Sequence, residues 1–289
     1  MQINLLQVVF NGLTEFAIYS LFSVGLSLIF GVMKLPNMAQ GILFSLGAII
    51  HYDLTIKYHI PFMVSMGLTI VIMFVIGMAL QRFVVARAMR TQVLAMITGI
   101  GISYLLSNFL INVWGAWPLR IPNPWSQVIT VLDASITLHK VLCLIISLSA
   151  MTILWLFLNK TKMGVAIRSV SQDPETATLM GVNVKTIFMV VFGIGISFAA
   201  IGGVLMGLII GVNSVMGDSV GNMGLAIIVL GGMGSFAGAI IGALIVAFVD
   251  VFVATYVSSF YGLVIAFSVM IVVVLIRPQG LFGKKARTA

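Results

Sequence analysis

The chain alternates between long apolar runs and short polar segments. The runs cover roughly residues 5–33, 38–56, 61–83, 92–113, 138–158, 187–211, 222–257 and 259–276. A helix needs about 20 apolar residues to cross a hydrocarbon core of about 30 Å, so each run can span a membrane. The runs are continuously apolar rather than alternating, which indicates helices and not a β-barrel. The pattern predicts an all-α polytopic membrane protein with about eight transmembrane segments.

Composition supports this class of protein. The chain has 289 residues, of which 61% are hydrophobic and only 8% are charged, whereas a soluble protein carries about 25% charged residues. No basic stretch precedes the first apolar run, so we expect a retained span and not a cleaved signal peptide. The single cysteine, Cys143, lies within an apolar run, which excludes an internal disulfide.

The basic residues fall mainly on one side of the predicted topology. Counting spans outward from a cytoplasmic insert at 159–186 places four further cations on its side: Lys34, Arg82, Arg87 and Arg90. The opposite side receives only three: Lys57, Arg120 and Lys140. The positive-inside rule then predicts a periplasmic N-terminus and a cytoplasmic C-terminal tail that contains Lys284. This distribution explains the net charge of +8 without nucleic acid as a partner.

The seventh run, 222–257, is too long for one crossing. As one helix its 36 residues would extend about 54 Å. A glycine cluster lies in its middle, at Gly231, Gly232 and Gly234, and glycine is suited to a break. We expect a descending segment, a turn inside the protein at these glycines, and an ascending helix. This break also brings the basic tail to the cytoplasmic side.

The outer segment 114–137 is long for a turn between two spans. It holds three of the four tryptophans, Trp114, Trp117 and Trp125. Aromatic rings favour the membrane–water interface, so an interfacial belt is the ordinary interpretation. A docking surface for an external partner is the alternative. We interpret 114–137 as a periplasmic loop in either case.

The polar insert 159–186 contains start and stop signals of a short helix at about 174–180. Asp173 is suited to the N-cap, Pro174 to the first helical position and Gly181 to the position after the helix. Glu175 lies in the first turn, where the helix dipole favours an anion. Such a short helix is marginal alone and needs a supporting surface.

Two interpretations of this helix remain open. Thr176, Ala177 and Met180 share one face, which could enter a groove on a soluble subunit. Alternatively, the helix lies on lipid headgroups, with Arg168 and the neighbouring lysines touching phosphates.

Four islands of sequence, at 36–41, 175–181, 230–235 and 277–283, resemble motifs of the permease subunits of the branched-chain amino acid (LivH-type) family of ABC importers. Glu175-Thr176-Ala177 followed by Gly181 is similar to the EAA-x3-G loop of importer permeases. Pro36-Asn37-Met38-Ala39-Gln40-Gly41 resembles the family's N-F-A-H-G stretch, with Met38 and Gln40 replacing Phe and His. The glycine cluster that follows Leu230, and the ending Arg277-Pro278-Gln279-Gly280-Leu281-Phe282-Gly283, complete the set. The I-x-L-P part of the wider EAA signature is absent. The four islands occur in family order along essentially the whole chain, 1–289, which we interpret as one permease domain.

The resemblance implies a machine of several subunits. Two soluble ATPases would bind ATP and Mg²⁺ below the membrane. A second permease subunit, LivM-like or an identical copy, would lie beside this chain in the membrane. A periplasmic solute-binding protein would deliver the cargo, and the complex would lie in the bacterial inner membrane. We expect no cofactor and no enzymatic activity in this chain, because it has no G-x-x-x-x-G-K-[ST] phosphate loop. The residues expected to couple to the ATPases are Arg168, Asp173, Pro174, Glu175, Thr176, Ala177, Met180 and Gly181.

Candidates for the substrate path are the polar and glycine positions at the two predicted helix breaks. These are Asn37, Gln40, Gly41, Gly231, Gly232 and Gly234. Broken helices expose backbone groups at membrane depth only where protein or water accommodates them. Ordinary helix ends and kinks are the alternative. The resemblance implies amino acids, with branched-chain ones first, or else urea, short amides or other small solutes.

Other functions have weaker support. Glu15 and Asp250 lie within or near spans, as a proton-coupled transporter would require. His51, His59 and Asp53 could form a surface metal site, but no H-E-x-x-H motif or Cys/His cluster occurs, and solvated span ends explain them equally.

Overall fold

The computed structural model describes residues 5–89, 91–121, 125, 127–131 and 134–283. This part of the chain forms helices and one β-hairpin. The helices are α1 (Leu5–Met33), α2 (Gln40–Ile56), α3 (Phe62–Ala88), α4 (Gln92–Trp114), α5 (Leu138–Lys160), α6 (Lys162–Gln172), α7 (Pro174–Leu179), α8 (Val184–Ile210), α9 (Met216–Gly231), α10 (Phe236–Ser258) and α11 (Gly262–Ile276). Arg90 and the basic tail from Lys284 onward, both used in the predicted orientation, lie outside the described residues.

The prediction of an all-α polytopic membrane protein is confirmed. Within the described residues, six helices are long and apolar enough to cross a membrane: α1, α3, α4, α5, α8 and α10. The apolar helices α9 and α11 are shorter, with 16 and 15 residues, and α2 has 17. The expected count of eight spans is not established by length and composition, and it stays a prediction.

Helices α1 and α8 form the centre of the bundle, while α3, α4 and α5 are largely exposed around it. Small residues let the central helices approach closely. A Cβ added at Gly203 of α8 would lie 2.2 Å from the carbonyl oxygen of Phe44, and one added at Gly195 would lie 2.5 Å from Ile29. These glycines of the sixth apolar run therefore form a packing surface for the neighbouring helices.

The break predicted within the seventh run is confirmed. Helix α9 ends at Gly231 and α10 begins at Phe236, with Gly232 and Gly234 at φ values of 102° and 83°. Because α9 begins at Met216 rather than at about 222, its 16 residues descend about 24 Å. The turn consequently lies at the end of the bundle beside Gly31. Gly231 and Gly232 are buried, as a turn inside the protein requires, whereas Met233 and Gly234 are exposed.

The polar insert contains two helices, whereas the sequence predicted one. Thr161 caps α6 by accepting a hydrogen bond from the amide of Gly164 at 3.0 Å. Helix α6 buries Ile167 and Val170 and leaves its other faces exposed. The expected short helix follows directly as α7.

The outer segment also has regular structure. Strands β1 (Val128–Val131) and β2 (Ala134–Thr137) pair antiparallel, with Val128 opposite Thr137. Leu119 exchanges backbone hydrogen bonds of 2.7 and 2.8 Å with Val212, in the connection between α8 and α9. This contact fastens the outer segment to the top of the central helix.

Candidate functional site

A cavity of about 390 Å³ lies between α1, the start of α2, α4 and the start of α9. Its lining is mixed. The polar side chains are Asn37, Gln40, Ser103, Tyr104, Ser107, Asp218 and Asn222. The apolar ones include Phe22, Leu26, Met38, Ile100 and Leu225. A cavity with this lining can hold a small solute that has both polar and apolar parts.

Gln40 fixes the depth of this cavity. Its amide nitrogen donates to the carbonyl oxygen of Gly195 at 2.9 Å, and its amide oxygen accepts from Asn37 at 2.9 Å. Gly195 lies eleven residues into α8, which is about 16 Å along the helix. Helix α2 therefore begins in the middle of the bundle, and residues 36–39 before it form no helix, only a turn at Met38 and Ala39.

Asn37, Gln40 and Gly41, which were predicted to line the substrate path, contribute to the cavity in different ways. Asn37 is half-buried and lines the cavity. Gln40 is almost fully buried, and its amide oxygen orients Asn37 by accepting a hydrogen bond from it. Gly41 permits the start of α9 to approach, because a Cβ there would lie 2.5 Å from the carbonyl oxygen of Gly217. The structure thus brings Asn37, Gln40 and Gly41 together at one wall.

The opposite walls carry polar residues that the sequence analysis missed. Asp218 and Asn222 are one helical turn apart on the exposed side of α9. Ser103, Tyr104 and Ser107 face the cavity from α4. Exposed polar groups at this depth require water or a protein partner, because lipid tails cannot satisfy them. The spacing of four residues, from Ser103 to Ser107 and from Asp218 to Asn222, was the signal that could have revealed them.

The glycine turn is not part of this cavity, although Gly231, Gly232 and Gly234 were candidates for the substrate path. The C-terminal segment packs on the turn instead. The amides of Leu281 and Phe282 donate to the carbonyl oxygens of Leu230 and Gly231, each at 2.9 Å. This segment thereby supplies partners for the last carbonyls of α9.

Asp173 caps helix α7 as its position predicted. Its carboxylate accepts from the amides of Glu175 at 2.9 Å and Thr176 at 3.3 Å, and from the hydroxyl of Thr176. These hydrogen bonds, first that from the Thr176 hydroxyl, lower the pKa of Asp173. Pro174 occupies the first turn, and Gly181 has a φ of 84° after the helix.

The faces of α7 differ from the expectation in one respect. Ala177 is buried against the bundle, so it does not belong to an exposed apolar tip with Met180. The exposed apolar tip consists of Leu179 and Met180 instead, whose exposed fractions are 87% and 81%. Glu175 and Thr176 are exposed as well. Two large apolar side chains this exposed on a capped helix suggest a contact surface.

Arg168 lies away from that tip. Its guanidinium donates to the carbonyl oxygen of Leu158 at 2.6 Å and to the side chain of Asn159 at 2.9 Å. Both partners belong to the last turn of α5. Arg168 therefore joins the middle of α6 to the end of α5.

The acidic residues considered for proton coupling lie outside the cavity lining. The hydroxyl of Tyr19 donates to the carboxylate of Asp250 at 3.0 Å, which links α1 to α10 near Glu15. Asp53 is engaged otherwise, since it pairs with Lys57 at 2.9 Å and accepts from the indole of Trp114 at 3.0 Å. In the part of the chain that the structure describes, no group of three or more His, Cys, Asp or Glu side chains could hold a metal ion.

The outer tryptophans are mostly packed. Trp114 hydrogen-bonds to Asp53, and Trp125 stacks edge-on against Phe62 with ring centroids 5.2 Å apart. Trp117 is 85% exposed. An exposed tryptophan is compatible both with an interfacial aromatic belt and with a docking surface, so both interpretations of the outer segment stay open.

A multi-pass helical bundle with a cavity of mixed polar and apolar lining in its middle is typical of the class of membrane transport proteins. Residues 8–274 match the family model described as "Branched-chain amino acid transport system / permease component". The chain is 30% identical to the high-affinity branched-chain amino acid transport system permease protein LivH of Escherichia coli K12, over 96% of each chain. It is 28% identical to the permease protein BraD of Pseudomonas aeruginosa, also over 96% of each. The chain belongs to this family of permease components.

Proposed function

We propose that this chain is the membrane subunit of an ABC importer that moves a small polar solute inward by alternating access. The observation that carries the proposal is the mixed cavity held at mid-bundle depth by Gln40. It opens beside α4, whose exposed face includes Tyr104 and Asn108. A second permease subunit, LivM-like or an identical copy, would cover this face and complete the path.

The lining favours a zwitterion with an apolar side chain as the cargo. The carboxylate of Asp218 suits an ammonium group, and the amides of Asn37 and Asn222 can donate to a carboxylate. Phe22, Leu26 and other apolar residues can contact an aliphatic side chain. We therefore propose branched-chain or other amino acids first, and urea, short amides or other small solutes second.

The energy would reach the cavity through α8. Helix α7 adjoins this central helix, whose Gly195 carbonyl holds Gln40. Two ATPase subunits with bound ATP and Mg²⁺ would grip the Leu179–Met180 tip. Their closure would then move α8 as a partly rigid body and alter the wall that Asn37 forms. Glu175, Thr176 and Gly181 border the tip, and Asp173 and Pro174 hold it in shape.

The orientation belongs to the same proposal. The N-terminus and the 114–137 segment would face the periplasm, where a solute-binding protein docks. The 159–186 insert and the C-terminus would face the cytoplasm of a bacterial inner membrane. The arrangement has eight transmembrane segments. The seventh is broken, since α9 descends and α10 ascends, so it begins and ends on the periplasmic side, and α11 then brings the C-terminus to the cytoplasm.

Uptake by reconstituted vesicles tests the proposal. The chain would be purified with the permease, ATPase and binding-protein subunits of its own system and placed in liposomes. We expect accumulation of labelled leucine, or of another small solute, only when ATP is available to the ATPases. Uptake by the chain alone under a proton gradient would instead support a proton-coupled transporter, for which the link between Tyr19 and Asp250 is the supporting observation.

The substitution Asp218→Asn tests the cargo class. If Asp218 contacts the ammonium group of an amino acid, its loss should raise KM about tenfold or more, because hydrogen bonds to charged groups are worth about 1.5–3 kcal/mol. Uptake of a neutral amide or urea should change little. An unchanged KM for amino acids would remove Asp218 from the proposed site.

A further inference from the structure

A second cavity, of about 690 Å³, lies at the end of the bundle that carries α6 and α7. Its walls come from the last turns of α1 and α5, from α6, and from the turn between α9 and α10. It is separate from the mid-bundle cavity, and the two share no lining residue.

The electrostatic character of this second cavity is positive. Lys34 and Arg168 both line it, and none of its described lining residues is acidic. The hydrogen bonds of the two cations go to neutral oxygens: Lys34 donates to the carbonyl of Gly31 at 2.9 Å, and Arg168 to Leu158 and Asn159. Their charge is thus uncompensated by the lining. Ser171 and Gln172 add polar groups that can donate to an anion.

The second cavity also lies at the border between the apolar and polar zones of the protein. Trp155, in its lining, is 49% exposed and lies just over one turn before the end of α5. The same helix exposes Ile153 and Leu156 on its outer side. Half-exposed tryptophan and exposed aliphatic residues mark the interfacial depth, where phospholipid headgroups are found.

We propose that the second cavity binds the headgroup of an anionic phospholipid, with its phosphate between Lys34 and Arg168 and its acyl chains along the exposed side of α5. A free phosphate ion has the same anionic chemistry. The apolar flank of Trp155 and Ile153 favours the lipid, because a free ion would gain nothing from it. The bound lipid joins α1, α5, α6 and the turn around Met233, and so stabilises the end of the bundle next to α7.

Thermal unfolding of the purified full-length chain in a neutral detergent tests this site. Phosphatidylglycerol, phosphatidylcholine or inorganic phosphate would be added to separate samples at equal concentration. Saturating phosphatidylglycerol should raise Tm by roughly 5 °C, and the other two should not. A comparable rise with phosphatidylcholine would show unspecific lipid binding, and a comparable rise with phosphate alone would show an ion site. Either result overturns the proposal.

Matched variants locate the binding site. Met233 is a partly exposed residue of the cavity lining, so Met233→Glu adds a negative charge there while Met233→Gln does not. We expect Met233→Glu and Lys34→Gln to abolish the rise in Tm. Met233→Gln and Lys185→Gln, an exposed cation outside the lining, should retain it. A full response in both Met233→Glu and Lys34→Gln would show that the lipid binds elsewhere.

Native mass spectrometry provides a second readout that does not depend on stability. The wild type should retain phosphatidylglycerol in preference to phosphatidylcholine, and Met233→Glu should retain at least about tenfold less of it than Met233→Gln. Equal retention by these two variants would contradict the site.

Discussion

The contact between Gly217 and Gly41 shows how single residues set the shape of the mid-bundle cavity. A Cβ added at Gly217 would lie 1.7 Å from the carbonyl oxygen of Gly41, a distance no real structure tolerates. The amide of Gly217 also donates to the hydroxyl of Ser45 at 2.9 Å. The start of α9 is therefore held directly against α2.

We predict that Gly217→Ala destabilises the protein by about 1–3 kcal/mol, because overpacking pushes α9 away from α2. Gly67→Ala is the matched control, since a Cβ at this exposed position of α3 meets nothing within 4 Å. The control should leave stability unchanged or slightly raised, because alanine favours helix. Thermal unfolding in detergent measures both, and an equal Tm for the two variants would contradict the close contact.

The residues of the cavity could be predicted from sequence only in part. Asn37, Gln40 and Gly41 were found because Pro36 marks a helix break beside two amides. Asp218 and Asn222 are not evident from the sequence, because the continuous apolar run begins only at residue 222, whereas α9 begins at Met216. The bond from Gln40 to Gly195 joins positions 155 residues apart, and nothing local in a sequence signals such a pairing.

At the scale of elements, helix α7 depends on its N-cap. Because the folded-state pKa of Asp173 is lowered, the cap is fully present above the ordinary pKa of an aspartate and is lost as the pH falls through the lowered value. We predict that Asp173→Ala speeds hydrogen exchange at the amides of Glu175 and Thr176 at neutral pH, while Asp173→Asn largely preserves protection. Equal protection in wild type and Asp173→Ala would show that the cap is unimportant.

The exposed tip of α7 carries the coupling in this account. We predict that Leu179→Ser combined with Met180→Ser reduces ATP-driven uptake about tenfold or more, because each buried apolar side chain contributes about 1.5–3 kcal/mol to a contact. Both side chains are exposed, so folding and membrane insertion should be unaffected. Met163→Ser combined with Val165→Ser, at exposed positions of α6, is the control. Normal uptake by the Leu179/Met180 variant would remove the tip from the coupling mechanism.

Elements with strong local signals were predicted well, and amphipathic ones were not. The start and stop residues of α7, Asp173 and Gly181, are visible in the sequence. Helix α6 was missed because apolar residues lie on both of its sides: Ile167 and Val170 are buried, whereas Met163 and Val165 are exposed. The hairpin of β1 and β2 was missed because four-residue strands give too short an alternation to distinguish from a loop.

At the scale of the whole molecule, the fold class followed from the apolar runs, but their arrangement did not. All the runs are similarly apolar, so nothing in hydropathy distinguishes the buried α1 and α8 from the exposed α3, α4 and α5. The tertiary contacts of small residues, such as Gly203 against Phe44, decide which helices are central. The orientation in the membrane is a matter of charge and not of packing, and it needs its own experiment.

We predict that a cysteine at position 58 is labelled from outside intact spheroplasts by a membrane-impermeant maleimide, whereas one at position 185 requires permeabilisation. Tyr58 is exposed just beyond α2, and Lys185 is exposed at the start of α8. The native Cys143 is buried and provides an unreactive background. The reverse labelling pattern would invert the proposed orientation.

Photo-cross-linking within the assembled complex tests the central claim most directly. A photoreactive amino acid would be placed at position 180, on the α7 tip, and at position 117, an exposed control in the outer segment. We expect position 180 to give a covalent adduct with the ATPase subunit and position 117 to give none with it. If position 180 forms no ATPase adduct in a complex that transports its cargo, α7 is not the coupling helix, and the account is contradicted.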